Sequence, residues 1–295
     1  LSKQYLKKMS QRANQSCVGE LAGSHVFASP RKTTNYDSSD DDQSFLGLRS
    51  CVHVAPSVAR ECWRLCESSG DYRALKRLFL AHPSITEGNP TALSHLRDVS
   101  NWTLLMRAAD TGFLEIVRLL VSIDSGSVNL SCSHGVTPLH LAAARGHEQV
   151  VRLLLSIISP VGNADDRVVA VDRKSNRGRT ALHEAAEYGF VDIARLLLYR
   201  GADENSQDND GFTPLHLACK YSHTEVIIFL LTECSTNPLA ITVSGEIVED
   251  LTKNTGVRRL LRAVTFHRKK SKSDLEEYSH ESAQAWSVVE TAVKE

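Results

Sequence analysis

Four segments of the chain repeat one another, and this internal repetition restricts the fold more than any other feature. The copies are NWTLLMRAADTGFLEIVRLLV from Asn101, GVTPLHLAAARGHEQVVRLLL from Gly135, GRTALHEAAEYGFVDIARLLL from Gly178 and GFTPLHLACKYSHTEVIIFLL from Gly211. Their shared threonines lie 34, 43 and 33 residues apart. A period of this length predicts a stack of small units rather than one globular core. The longest step predicts an insertion near residues 159–169.

Each copy carries the signals for two short helices. Thr137 is suited to cap the start of the first helix, and Pro138 follows it where a missing N–H costs nothing. His140, three residues after the threonine, is placed to hydrogen-bond back to the cap. Gly146 ends this helix, and an apolar stripe from Val150 marks the second one. Because one unit cannot cover that stripe alone, we expect the units to stack.

These segments resemble the ankyrin repeat, whose TPLH-x-A signature and 33-residue period they match. The resemblance implies an all-α solenoid of helix-turn-helix units with β-turn fingers between them. Segments such as RGADENSQDNDG, from Arg200, are typical of such fingers. Weaker units flank the four copies, one from Glu61 and one from Gly245. We therefore expect an ankyrin-repeat domain of about six units over residues 55–266, with the outer units as degenerate caps.

The N-terminal region, residues 1–54, has a different composition. It is rich in Ser and Asp and lacks a hydrophobic period, which predicts a disordered tail. Two short patterns, Ser29-Pro30 and Ser39 followed by three aspartates, match kinase sites. Taken alone, either pattern favours a chance match in a solvated tail over a kinase site.

The C-terminal region, residues 267–295, begins with the basic cluster Arg268-Lys269-Lys270-Ser271-Lys272. This cluster is a nuclear import signal, a site for acidic partners or simply a solvated helix end. Leu275, Tyr278 and Trp286 then follow at roughly helical spacing, with further apolar residues up to Val293. We expect a short amphipathic helix that either covers the last repeat or binds a partner. Both tails are thus expected to lie outside the repeat stack itself.

Composition and motifs exclude several classes of function. The formal net charge of −1 provides none of the overall basic charge that non-specific DNA binders use, so no direct nucleic-acid partner is expected. No apolar run is long enough to span a bilayer, and the N-terminus does not resemble a secretory signal, which favours the cytoplasm or nucleus. Neither His147-Glu148 nor His183-Glu184 has a second histidine at metalloprotease spacing, and the glycine-rich phosphate-binding and nucleophile-elbow motifs are missing. The sequence therefore predicts no enzyme, no cofactor and no metal.

The resemblance implies a concave binding face, formed by the finger tips and the exposed sides of the first helices. Aromatic and arginine side chains dominate interface hot spots, and they recur here at positions that the core does not need. For two of them, Trp102 and Phe212, the alternative is that they only cover neighbouring fingers. The candidate partner-binding residues are Trp102, Arg145, Arg177, Arg179, Tyr188, Phe212, Lys220 and Tyr221.

The middle finger carries a concentration of basic residues. Arg173, Lys174, Arg177 and Arg179 lie within seven positions. Such a cluster predicts a protein partner with an acidic or phosphorylated segment. We expect these side chains to be exposed, so that reversing Arg177 and Arg179 would leave the fold intact.

Two functional hypotheses follow. The first is a non-enzymatic adaptor or scaffold that binds another protein through the concave face and is regulated by phosphorylation of its tails. The second is the regulatory or targeting portion of a larger enzyme, channel or transcription-regulatory protein, since the chain begins with Leu1 and ankyrin repeats occur in all of these. The layout loosely resembles the inhibitors of nuclear factor kappa-B, although Asp37-Ser38-Ser39 lacks their Asp-Ser-Gly core. A sequestering factor of that kind belongs to the second hypothesis.

Overall fold

Helices in this chain come in pairs, as the repeats predict. The computed structural model describes residues 55–85, 96–157 and 171–270, together with Leu93, and these ranges contain six helix pairs. In order they are α1 (Pro56–Arg64) with α2 (Tyr72–Ala81), α3 (Leu104–Thr111) with α4 (Leu114–Ile123), α5 (Pro138–Arg145) with α6 (Glu148–Ile157), α7 (Ala181–Tyr188) with α8 (Val191–Tyr199), α9 (Pro214–Lys220) with α10 (Thr224–Thr232), and α11 (Val248–Leu251) with α12 (Thr255–Lys270).

The pairs stack into two helical layers. Each first helix contacts the first helix of the next pair, and the second helices do the same. Fully buried alanines, such as Ala142, Ala143, Ala185 and Ala186, lie in the first-helix layer and allow this close approach. Leucine, isoleucine and valine side chains of the second helices complete one continuous core. The predicted all-α ankyrin-repeat solenoid is thereby confirmed.

A short turn precedes the first helix of every pair after the first. We call these turns fingers and number them by residue range: 97–103, 131–137, 174–180, 207–213 and 241–247. The first and last of them contain the isolated antiparallel bridges Arg97↔Thr103 and Ile241↔Ile247. Backbone amides connect each finger to the preceding one: Ser133 N to Ser100 O (3.3 Å), Asn176 N to His134 O, Asn209 N to Arg177 O and Val243 N to Asp210 O (2.9 Å each).

A histidine joins each of three first helices to the turn region of the next repeat. The amide of Thr180 donates to Nδ1 of His183 over 3.1 Å, so Nδ1 is the acceptor and Nε2 carries the proton. Nε2 then donates to the Phe212 carbonyl of the following finger over 3.0 Å. His140 makes the same pair of contacts with Arg179 O as the acceptor, while His216 donates to Ala240 O, one residue before the last finger. The cap predicted from the sequence is confirmed, and it doubles as a contact between repeats.

The ends of the first helices show a second contact between repeats. Gly146 has a φ of 77°, and a Cβ built there would lie 2.6 Å from the ring of Phe190 in the next pair. The rings of Phe113, His147 and His223 cover Gly70, Gly112 and Gly189 in the same way. The last first helix of regular length ends differently, since Ser222 follows it with a φ of 63°.

Three predictions from the sequence lie outside the described residues. These concern the disordered N-terminal tail with its kinase patterns, the insertion near 159–169, and the amphipathic helix after the basic cluster. Helix α12 continues to Lys270, so the first three residues of the basic cluster are helical. No helix in the described ranges combines the length and apolarity that crossing a membrane requires.

The buried histidines predict a loss of stability in mild acid. Burial lowers the pKa of His140 from 6.5 to about 4 and that of His183 to about 3, and it also lowers the pKa of His216. Below pH 6.5 the unfolded chain binds protons that the folded chain does not, so stability is full above that pH and falls as the pH drops towards the folded values. Urea midpoints measured from pH 8 to pH 5 should therefore decrease.

A matched variant isolates the histidine contribution. In the first of the four copies Met106 occupies the histidine position, and its Sδ accepts from the Thr103 amide over 3.4 Å. His183→Met should therefore fold and should show a shallower decrease of the midpoint with pH. A dependence of the midpoint on pH that is the same in His183→Met and in the unmodified protein would contradict the assignment.

The helix-end glycines predict opposite effects at equivalent positions. Gly146→Ala places a Cβ against the Phe190 ring at a positive φ, and we expect a loss of about 2 kcal/mol or more. Ser222→Gly relieves the left-handed strain and should stabilise by up to about 1 kcal/mol. Chemical denaturation of both variants tests this, and destabilisation by Ser222→Gly would contradict it.

A candidate protein-binding face

The residue before each capping threonine packs against its own first helix. In three of the repeats this residue is large. The Arg107 guanidinium lies over the Trp102 ring at 4.7 Å, and the Lys220 ammonium lies over the Phe212 ring at 4.8 Å. In the repeat directly before that of Phe212, the corresponding residue is Arg179, which forms an ion pair with Glu187. The exposed sides of the first helices and fingers thus form one surface, which we call the first-helix face.

Charged residues connect the N-terminal part of this face. Arg145 Nε donates to Asp110 Oδ1 over 2.7 Å, which joins the helices α5 and α3. Arg107 lies 4.0 Å from the same carboxylate and 3.8 Å from Asp98. The Arg107 position, four residues after the threonine, is occupied by buried leucines in two of the other copies. The hydrogen bond to Asp110 thus orders the Arg145 side chain without a partner.

Arg179 is not a free surface charge. Its side chain is only 16% exposed, and besides the ion pair with Glu187 its Nε lies 3.4 Å from Asp208 Oδ2 in the next finger. Asp208 Oδ1 in turn accepts from the amides of Asp210 and Phe212, at 3.0 and 2.8 Å. The expectation that Arg179 is exposed is therefore wrong. The sequence concealed this because the two carboxylate partners lie eight and 29 residues away.

Glu184 adds a third carboxyl group to this region. It is buried, and its Oε2 has no hydrogen-bond partner within the part of the chain that the structure describes. Burial raises the pKa of Glu184 from 4.5 to about 7, with Arg179 opposing and Glu187 reinforcing the shift. Glu184 takes the position of Leu141 and Leu217 in the adjacent repeats, which was the one sequence signal that could have identified it.

Two tyrosines flank the carboxyl groups on successive first helices. Tyr188 ends α7 and is 39% exposed, while Tyr221 follows α9 and is half-buried. Burial raises the pKa of Tyr188 to about 12, and Glu187 contributes to the increase. Burial also raises the pKa of Tyr221, helped by the nearby charge of Glu187 and a hydrogen bond to it. Glu187 therefore positions both Arg179 and Tyr221.

We call residues 173–179 the basic finger. Besides the enclosed Arg179, it carries three exposed cations. Arg173 Nη1 donates to the Asn129 carbonyl over 2.9 Å, and Lys174 Nζ donates to the Gln207 carbonyl over 2.8 Å. Arg177 is exposed at the finger tip, where its carbonyl accepts from Asn209. Backbone carbonyls carry no net charge, so Arg173 and Lys174 remain positive and ordered at the surface.

The structure places the eight predicted site residues in two groups and one outlier. Trp102 and Arg145 belong to the N-terminal group around Asp110. Phe212, Lys220, Tyr221, Arg179 and Tyr188 belong to the C-terminal group around Glu187. Arg177 stands apart at the finger tip. The sequence reasoning missed Arg107 and Glu184 as members of the face.

Comparisons with known proteins agree with this architecture. A family model described as ankyrin repeats, in three copies, matches residues 63–164 and 162–242, which is more than half of the chain. The chain is 31% identical over 138 residues to Ankyrin repeat and KH domain-containing protein mask-1 of Caenorhabditis elegans (46% of this chain, 5% of that protein). It is 34% identical over 114 residues to Protein fem-1 homolog A-like of Mus musculus (39% and 16%).

A third relative is the NF-kappa-B inhibitor cactus of Drosophila yakuba. The identity is 31% over 122 residues, covering 34% of this chain and 25% of that protein. The chain therefore spans a quarter or less of the length of each of these three relatives.

Neighbouring arginines of the basic finger are expected to respond differently to charge reversal. Arg179→Glu leaves Glu184, Glu187 and Asp208 without their shared cation, and we expect a loss of about 3 kcal/mol or more in unfolding free energy. Arg177→Glu, two residues away and exposed, should change stability by no more than about 0.5 kcal/mol. Urea unfolding of both variants at pH 7.5 provides the test. Equal midpoints would mean that the buried network adds nothing to stability.

Proposed function

Because the chain belongs to the ankyrin-repeat family, whose repeats are protein-interaction modules, we propose that it is a non-enzymatic adaptor or scaffold that holds a protein partner on the first-helix face. The observation that carries this proposal is the pair Tyr188 and Tyr221 on successive first helices. Both rings are partly exposed beside a buried network that holds Glu187 in place. Preorganised aromatic anchors of this kind lose little entropy on binding and dominate interface energies.

The charges of the basic finger supply the specificity in this proposal. Arg173, Lys174 and Arg177 are exposed and positive, so they suit an acidic or phosphorylated segment of the partner. Arg179 is left out of this contact because its charge is already neutralised. Arg145, Lys220, Phe212 and Trp102 then border the anchors on either side.

A second candidate function is favoured by the length of the relatives. The chain covers only 5% of mask-1, whose name includes a KH domain, so a regulatory or targeting role within a larger protein is consistent with the repeats. The similarity to the NF-kappa-B inhibitor cactus favours a sequestering factor as one form of that role. In either case we propose a cytoplasmic or nuclear location and phosphorylation of the tails as regulation.

Charge reversal in the basic finger tests the proposal. A photo-crosslinking residue in place of Tyr188 identifies the partner segment from a lysate, and the affinity of the purified pair is then measured by calorimetry. Arg173→Glu with Arg177→Glu should weaken binding by about tenfold or more, and added salt should weaken the binding of the unmodified chain. Tyr221→Ala should also cost about tenfold.

Exposed arginines on the second helices give a matched control. Arg118 and Arg152 carry the same charge on the opposite layer, so their double reversal to Glu should leave affinity unchanged. If the control pair weakens binding while the finger pair and Tyr221→Ala do not, the partner binds the second-helix layer instead.

A further inference from the structure

The series of backbone hydrogen bonds between successive fingers ends, within the described ranges, at the last finger, 241–247. In each earlier finger the carbonyl before the positive-φ residue accepts an amide from the next finger: Ser100, His134, Arg177 and Asp210 all do so. The equivalent carbonyl in the last finger belongs to Ser244, before Gly245. Within the described ranges no amide donates to it. The last finger therefore presents the same edge that every other finger has covered.

Space above this edge is open. A Cβ built at Gly135, Gly178 or Gly211 would lie within 2.6 Å, 2.5 Å or 2.8 Å of an atom of the next finger. At Gly245 no atom lies within 4 Å of that point. The difference shows that the earlier fingers are sealed and that the described residues leave the last one unsealed.

Two side chains of the last finger, Ile241 and Val243, are apolar where those of the three fingers before it are polar. Val243 occupies the position of Asn176 and Asn209, whose side-chain amides donate to the preceding finger. Val243 is 80% exposed, Ile241 is 58% exposed and Leu239 is 44% exposed. A row of exposed apolar side chains beside an open backbone edge is a surface that favours a covering segment.

Chain connectivity identifies the segment that covers each finger. In every case it is the stretch directly after the second helix of the same pair. From the end of α8 at Tyr199 to the donor Asn209 there are ten residues, and from the end of α10 at Thr232 to Val243 there are eleven. After α12 the corresponding stretch begins at Ser271, and it has 25 residues, which is ample to reach the same place.

This stretch differs from a finger in composition. Residues 271–295 contain neither Gly nor Pro, so they lack the residue that takes the positive φ in four of the five described fingers. They do contain an apolar series, with Trp286 as its largest side chain. An apolar helix face, rather than another turn, is what this composition can offer to Ile241 and Val243.

We propose that residues 271–295 fold over the last finger and seat Trp286 against Ile241 and Val243. The segment thereby takes the place of the missing next repeat. It removes the exposed valine and isoleucine from water and closes the open edge of the solenoid. The C-terminal segment is in this sense the cap of the stack, while the degenerate pair α11 and α12 is its last repeat.

Fluorine NMR of the full chain labelled with 5-fluorotryptophan tests this contact. The chain has three tryptophans, and the Trp286 resonance is assigned by its loss in Trp286→Phe. In the unmodified chain we expect this resonance away from the random-coil position. Val243→Asp, or the milder Ile241→Ser, should move it to that position. The Trp63 and Trp102 resonances should stay in place, which reports that the repeats remain folded.

Val99→Asp is the matched control, because Val99 holds the same position in the first described finger and is 73% exposed. It should leave the Trp286 resonance unchanged. A Trp286 resonance at the random-coil position in the unmodified chain, or one that ignores both Val243→Asp and Ile241→Ser, would overturn the proposal. A resonance that shifts on dilution would also overturn it, because the occupant would then be a second copy of the chain.

Discussion

One imidazole in each regular repeat does two tasks, and the rest of the solenoid depends on it. Its Nδ1 accepts the amide of the capping threonine, while its Nε2 donates to a carbonyl in, or directly before, the next finger, 3.0 Å away for His183 and Phe212. The first contact starts a helix and the second sets the position of the neighbouring repeat. Because the ring is buried and neutral, both bonds form without a charge to desolvate. Local structure and stacking are therefore coupled through a single side chain.

This coupling leaves one position of each first helix free to vary. The threonine, the histidine and the alanines face the cap and the core, so the position four residues after the threonine is available for other chemistry. It is Arg107, Leu141, Glu184 and Leu217 in successive repeats. In the third of these repeats the result is three carboxyl groups around Arg179. Buried charges of this kind cost stability unless they are paired, so their presence beside two tyrosines fits a face shaped for binding.

The C-terminal end of the described stack departs from the packing of its middle. Aromatic or imidazole rings press on the helix-end glycines wherever a following repeat exists, and Gly146 beneath Phe190 leaves no room for a Cβ. At Ser222 a Cβ is present instead, although the backbone still adopts the left-handed conformation. The open edge at Gly245 is a further consequence of being last. Departures from the repeat pattern therefore concentrate where the segment that follows is either a degenerate repeat or not a repeat in sequence.

The sequence by itself determined the repeat, the helix starts at Thr137, Thr180 and Thr213, and the stacking, because these follow from periodicity and from contacts within a few residues. It also placed Tyr188 at the end of one first helix and Tyr221 at the end of the next. Only the tertiary structure decided that Arg179 is enclosed by Glu187 and Asp208, and that each histidine also binds the next finger. The burial of Glu184 and the Ser244 carbonyl that no described amide pairs with likewise became evident only in the tertiary structure. Apart from the Arg179–Glu187 pair, the contacts among these features join groups 24 to 39 residues apart in the chain, and a local sequence pattern does not reveal which residues of neighbouring repeats come into contact.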